Sequence, residues 1–143
     1  MINFDIPKSQ QKKFERELKK YMKKNRKEVE HRVSQATAAM HKMSVRNAPR
    51  DNGDLRKNIK FDVDEKRLFG EVVSNAEYSE AVEKGTKPHV IRPVRKKVLA
   101  NPETGEVFGK KVNHPGTSAQ PFMYPAWNKA RKDFLKGLRK AFK

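Results

Sequence analysis

From Lys8 to Asn47 the chain runs for forty residues without a glycine or a proline. Lys, Glu, Arg, Gln and Ala dominate this stretch, and Phe14, Leu18, Tyr21, Val29, Val33, Ala36, Met40 and Met43 recur at steps of three and four, with a gap around Asn25. That spacing predicts an amphipathic helix with one apolar stripe. A single helix of that length would measure ~60 Å, more than a small domain can cover. The segment up to about Lys27 is therefore expected to project from the body, and Val29–Met43 to pack on it. Ala48-Pro49 stops the helix, because the residue before a proline is pushed out of the helical region. Asp51-Asn52-Gly53-Asp54 then reads as a turn.

Beyond the turn the period changes from helical to alternating. Ile59, Phe61 and Val63 alternate with Lys60 and Asp62, as in a strand with one buried face, and Leu68 to Ser74 reads as the returning strand after a polar turn at residues 64–67. Ala76 to Lys84 is predicted as a short helix with Tyr78, Ala81 and Val82 inward, closed by Gly85 as the left-handed residue that ends helices. Glu80 and Glu83 lie on that helix among lysines, the pattern of a salt-bridged surface. Val90-Ile91 and Val98-Leu99 read as short strands, the turn Asn101-Pro102-Glu103-Thr104-Gly105 follows, and Glu106 to Val112 returns from it. This second hairpin carries Arg92, Arg95, Lys96, Lys97, Lys110 and Lys111 and is expected to be an exposed basic arm. Pro125 to Phe142 closes the chain as a helix with Trp127, Ala130, Phe134, Leu138 and Ala141 or Phe142 inward. Strands grouped between helices predict an α+β fold: an antiparallel sheet with an extended basic hairpin, packed against a long N-terminal and a C-terminal helix. The division expected is a basic helical extension over residues 1–27 and one domain over 28–143.

Composition limits what such a chain can do. At 143 residues it can bury about two-thirds of its unfolded surface. Yet hydrophobic residues make up only 35% and charged residues 36%, so the core is thin and partners or self-assembly are expected to add stability. The absence of cysteine excludes disulfides, thiolate metal sites and thiol catalysis. His31, His41, His89 and His114 have no metal-site spacing, and no nucleophile elbow or glycine-rich phosphate cradle is present. No catalytic residue, metal, cofactor or small-molecule substrate is expected. The opening Met1–Pro7 lacks the layout of a signal peptide, and no apolar run approaches the ~20 residues that span a bilayer. The expectation is a soluble protein made in the cytoplasm.

The formal charge is +17, with 34 basic against 17 acidic residues. A protein so far from neutrality repels itself unless an anion meets it, and DNA, RNA, an acidic protein surface or a membrane would each serve. Lys12, Lys13, Arg16, Lys19, Lys20, Lys23, Lys24, Arg26 and Lys27 cover most of the first helix outside its apolar stripe. Lys132, Lys136, Arg139 and Lys140 do the same on the last helix, with Lys129 and Arg131 beside them. A solvated helix face normally mixes signs, so this imbalance favours contact with phosphate or with an acidic partner. A recognition module for reading bases is missing. Lipid is disfavoured by the lysine flanks and the scarcity of large apolar residues.

Three segments carry more than local grammar. They are Ala48-Pro49 followed by Gly53-Asp54-Leu55-Arg56; Tyr78 through Val82-Glu83-Lys84-Gly85-Thr86; and His114-Pro115-Gly116-Thr117-Ser118-Ala119-Gln120-Pro121-Phe122-Met123-Tyr124-Pro125-Ala126. Each has a plain reading: Gly53 and Gly116 turn the chain, and Phe122 is an apolar anchor before a helix that Pro125 suits. In this order, over about residues 30 to 143, they resemble the small tail-component family of long-tailed phages, the gene-product-ten-like head–tail joining or tail-completion proteins of the neck. The sequence departs from that family at Lys84, where an aromatic or apolar residue is frequent, and residues 1–27 lie outside the matching stretch. The resemblance implies a structural virion protein, made in the host cytoplasm, that assembles as a homo-oligomeric ring, a hexamer, between head-connector and tail-tube proteins. Subunit contacts are expected from the arm (Arg92, Arg95, Lys96, Lys97, Lys110, Lys111) and from His114, Pro115, Gly116, Thr117, Pro121 and Phe122. The basic helix faces would then meet phage DNA or acidic neighbouring rings. A nonspecific nucleic-acid-binding module is the alternative; a basic membrane-active protein is a weaker one.

Overall fold

Two long helices lie against each other and organise the rest. In the computed structural model, which describes residues 7–23, 26–50, 53–94, 98–101 and 103–141, α2 spans Arg26–Asn47 and α5 spans Met123–Ala141. Val29 and Val33 of α2 cluster with Phe134 and Leu138 of α5, while Met40 clusters with Phe122, Met123, Ala126 and Ala130. Early α2 residues thus meet late α5 residues, so the pair is antiparallel and has two apolar clusters, one towards each end. The helical period that placed Val29, Val33 and Met40 on one stripe is fulfilled, and all three are buried.

The long N-terminal stretch is two helices. α1 covers Lys8–Met22 and α2 begins at Arg26, so the gap in the apolar stripe near Asn25 is where the helix breaks. Against expectation, α1 does not project. Its Phe14 ring lies 5.4 Å from that of Phe134 and 5.8 Å from that of Trp127, and Leu18 and Met22 pack on the second cluster. Glu17 accepts from Arg139 Nη2 at 3.0 Å. The physical reason is the apolar side of α1 itself, which gains more against α5 than in water. These contacts advance together along both helices, so α1 runs in the same direction as α5.

The first hairpin packs on α2. Strand β1 (Ile59–Asp64) pairs antiparallel with β2 (Phe69–Ser74), with Ile59 opposite Ser74 and Asp64 opposite Phe69. Ile59, Phe61 and Val63 share the helix side, as the alternation predicts. Only Ile59 is buried, however, and Phe61 stays 47% exposed with its ring 4.7 Å from that of His41. A single-turn helix, α3 (Asp54–Lys57), stands before the hairpin, following the predicted turn, of which Asp51 and Asn52 lie outside the described residues. After it comes α4 (Ser79–Lys84).

The second hairpin is a two-part arm. At its base β3 (His89–Ile91) pairs with β6 (Val112–His114); further out β4 (Leu99–Ala100) pairs with β5 (Val107–Gly109). The fold is α+β as expected, but the strands form three separate two-stranded ladders and not one sheet.

Candidate assembly interface

The three sequence motifs meet around one residue. Phe122, fully buried, shares a cluster with Leu55 of the first motif, and Val82 of the second packs against it. Arg56 donates through Nε at 3.0 Å and Nη2 at 2.6 Å to the Ala48 carbonyl, and through Nη2 at 3.2 Å to that of Arg46. A cation therefore satisfies the open carbonyls at the C-terminus of α2, where the helix dipole favours it. This is what ties the Ala-Pro element to the Gly-x-Leu-Arg element eight residues on.

Glu83 was read as surface, and that reading fails. Its side chain is 7% exposed, and its carboxylate accepts three backbone N–H bonds: Phe122 at 2.8 Å, Met123 at 3.0 Å and Tyr124 at 2.9 Å. These are the orphan donors at the start of α5, and the next residue, Pro125, has none to offer. An anion at the positive end of a helix makes strong charge-assisted bonds. Glu83 therefore caps α5 from about forty residues away, and the helix begins at Met123, two residues earlier than Pro125 suggested. A signal for it existed in the sequence. No Ser, Thr, Asp or Asn stands just ahead of α5 at Pro121-Phe122, so the cap had to come from elsewhere. Glu80, by contrast, is surface: Lys84 Nζ donates to it at 2.8 Å, and that hydrogen bond and charge hold its carboxyl below the ordinary value.

Tyr78 is also misread, being 48% exposed, while Ser79 takes the inward place and hydrogen-bonds Ser74 at 2.6 Å. Tyr78 stands outside α4 as its N-cap, and Ser79 and Glu83, four residues apart, share the inward face of the helix. Ala81 and Val82 are half-buried.

The arm leaves the body through a pair of Gly-Thr dipeptides. Thr86 and Thr117 exchange backbone bonds of 3.0 and 3.1 Å, and their hydroxyls lie 3.0 Å apart. Gly85 and Gly116 precede them at φ +73° and +87°. A Cβ on Gly85 would lie 2.6 Å from the Thr117 carbonyl oxygen, and one on Gly116 would strike the Thr86 carbonyl oxygen. Gly85 has ψ 175°, so it is not the left-handed helix cap expected; the crossing strands, not the helix end, require it. Gln120 N donates to the Val82 carbonyl at 2.8 Å and fastens the end of the loop. The second and third motifs are thus two halves of one clasp.

Outside the clasp, no described residue of the arm enters either apolar cluster. Val90 is 49% exposed, Val94 96%, Val107 62% and Phe108 48%. Arg92, Lys110 and Lys111 are exposed, and none has an ion-pair partner among the described residues. Arg95, Lys96 and Lys97 lie outside the described residues. In the loop, Pro115, Thr117 and Pro121 are exposed, and His114 and Gly116 are half-buried. Gly116 N donates to His114 Nδ1 at 3.1 Å, and the His114 ring lies 5.0 Å from that of His89 across the base of the arm. The expected interface residues therefore split: Arg92, Lys110, Lys111, Pro115, Thr117 and Pro121 are surface, whereas Phe122 is core.

The basic residues gather at the other end. Because α1 and α5 run in the same direction, Lys19, Lys20 and Lys23 come to the end that holds Lys136, Arg139 and Lys140, and the start of α2 adds Arg26 and Lys27. Lys12, Lys13, Arg16 and Lys132 continue this surface along the two helices, all exposed. Arg26 pairs with Glu30 at 2.8 Å, and Arg139 with Glu17. Lys24 and the side chain of Tyr21 lie outside the described residues. The arm and the basic surface thus sit at opposite ends of the α2–α5 pair. No helix among the described residues is long and apolar enough to cross a membrane.

Comparison with known families gives one match. Residues 12–85 fit the family described as Bacteriophage HK97-gp10, putative tail-component. The matched stretch takes in just over half of the chain. It starts earlier than the region of resemblance read from the motifs and includes most of α1; it ends at Gly85, so the third motif lies beyond it. No curated protein and no solved structure matches the chain.

Proposed function

The chain belongs to this HK97-gp10-like family of phage tail components, and from that premise we propose that it is a structural, non-enzymatic virion protein that joins head and tail. In this reading it assembles as a hexameric ring between head-connector and tail-tube proteins, completing the tail at the neck. The observation that carries the proposal is the arm, residues 86–117. A two-stranded hairpin alone in water is marginal, yet this one holds out five half-exposed or exposed apolar side chains, Val90, Val94, Val98, Val107 and Phe108, that the body never covers. Such a surface is suited to burial by other subunits. Light scattering of the full chain at low and high salt tests this: a ring-sized mass without DNA is expected, and a monomer under every condition contradicts it.

A second reading, a nonspecific nucleic-acid-binding module, is favoured by the single basic surface that α1 and α5 share. Its signature is affinity for short duplex DNA whose logarithm falls by about 0.9 per neutralised phosphate against log salt. A monomer that gains mass only with DNA, and loses it as salt rises, puts this reading first. Within the neck, the same surface would face DNA in the channel or an acidic neighbouring ring.

A further inference from the structure

We infer that the arm of one copy docks in a groove at the foot of the arm of the next copy, between α3 and α4. The inference rests on the ring reading and supplies what that reading lacks, the receiving surface. The groove holds about 440 Å³, and its apolar wall is made by Leu55, Tyr78, Ala81 and Val82. Tyr78 lines it while remaining 48% exposed, so the body leaves this wall open. The arm supplies the complementary shape, with Phe108 and Val107 on β5 turned to solvent.

Charge selects the same pairing. The arm brings Arg92, Lys110 and Lys111, which have no ion-pair partner among the described residues, whereas Asp54 lines the groove, and Glu77 and the Lys84-paired Glu80 flank Tyr78 and Ala81 in the chain. Asp54 reaches Lys57 only at 4.0 Å, and Glu77 has no ion-pair partner among the described residues. In a chain with twice as many basic as acidic residues, acids beside an open apolar wall give a basic arm somewhere to go. Arm and groove are different surfaces of one chain, so their contact is head-to-tail. Such a contact repeats from copy to copy and closes into a ring when the rotation allows. The Thr86–Thr117 clasp holds the arm at a set angle to the groove of its own copy, so one geometry fixes both partners.

The lack of native cysteine makes this directly testable. One preparation of the full chain carries Glu106→Cys, beside Val107 on the arm, and another Ala81→Cys; they are mixed under mild oxidation, with Glu106→Cys plus Gln35→Cys, on the exposed side of α2, as control. The mass of the unmodified chain is measured alongside. The expected result is an assembled wild type and a mixed disulfide at least about ten-fold above the control, since docking replaces a micromolar by a millimolar effective concentration. An assembled wild type with no enrichment overturns the arm-in-groove contact and leaves the ring standing. A monomeric wild type with no enrichment overturns both.

Discussion

The body around Phe122 and the arm beyond Thr86 and Thr117 are built from similar side chains put to opposite uses. Phe122 is fully buried, whereas Phe108, fourteen residues earlier, is 48% exposed. In the body every special residue answers to a contact: Glu83 to three amides, Arg56 to the carbonyls of α2, Gly85 and Gly116 to a strand crossing. In the arm two short ladders pair the backbone, but Val90, Val94, Val107 and Phe108 are left uncovered. The difference teaches that the three motifs are mainly scaffold. They build the foot of the arm, whose described side chains stay outside the body's apolar clusters.

That contrast can be broken from its strongest side first. Phe122→Ala should cost ~3–5 kcal/mol, as buried aromatics do, and a melting temperature unchanged from wild type would remove Phe122 as the anchor. Glu83→Ala leaves the α5 amides without their acceptor and should cost about 2–3 kcal/mol in chemical denaturation. Glu80→Ala, one turn away on the exposed side, serves as its control and should be nearly silent. Gly116→Ala forces a Cβ into the Thr86 carbonyl at positive φ and should cost about 1–3 kcal/mol. Hydrogen exchange should then show the loss first at the amides of Thr86 and Thr117. Smallest of all, Phe108→Asp should leave monomer stability within about 0.5 kcal/mol, as exposed substitutions do, while lowering the assembled fraction.

Much of this layout was legible in the residues. Periodicity marked α2, the inner stripe of α5 and the first hairpin, and turn residues marked the arm, but the gap in the stripe did not by itself divide α1 from α2. What stayed hidden shares one cause, contact between residues far apart in the chain. Glu83 looks like surface because its neighbours Glu80 and Lys84 are surface; its partners lie about forty residues on. Phe14 and Leu18 announce an apolar stripe but not what covers it, so the return of α1 onto Trp127 and Phe134 could not be read from α1. Phe61 keeps its predicted side and still stays half-exposed, its ring set against that of His41 near the edge of α2 and not in the core. The exposed Val and Phe residues of the arm were overshadowed in the sequence by its lysines and arginines.

The central claim is that the arm serves assembly and not the fold of its own chain. Sedimentation of the Val94→Asp/Val107→Asp/Phe108→Asp variant beside the wild type, with the melting temperature of the same samples, tests it most directly. The account predicts a ring-sized wild type and a folded, monomeric variant that melts with the body intact. A variant that assembles like the wild type, or one that unfolds with its arm side chains changed, would contradict it.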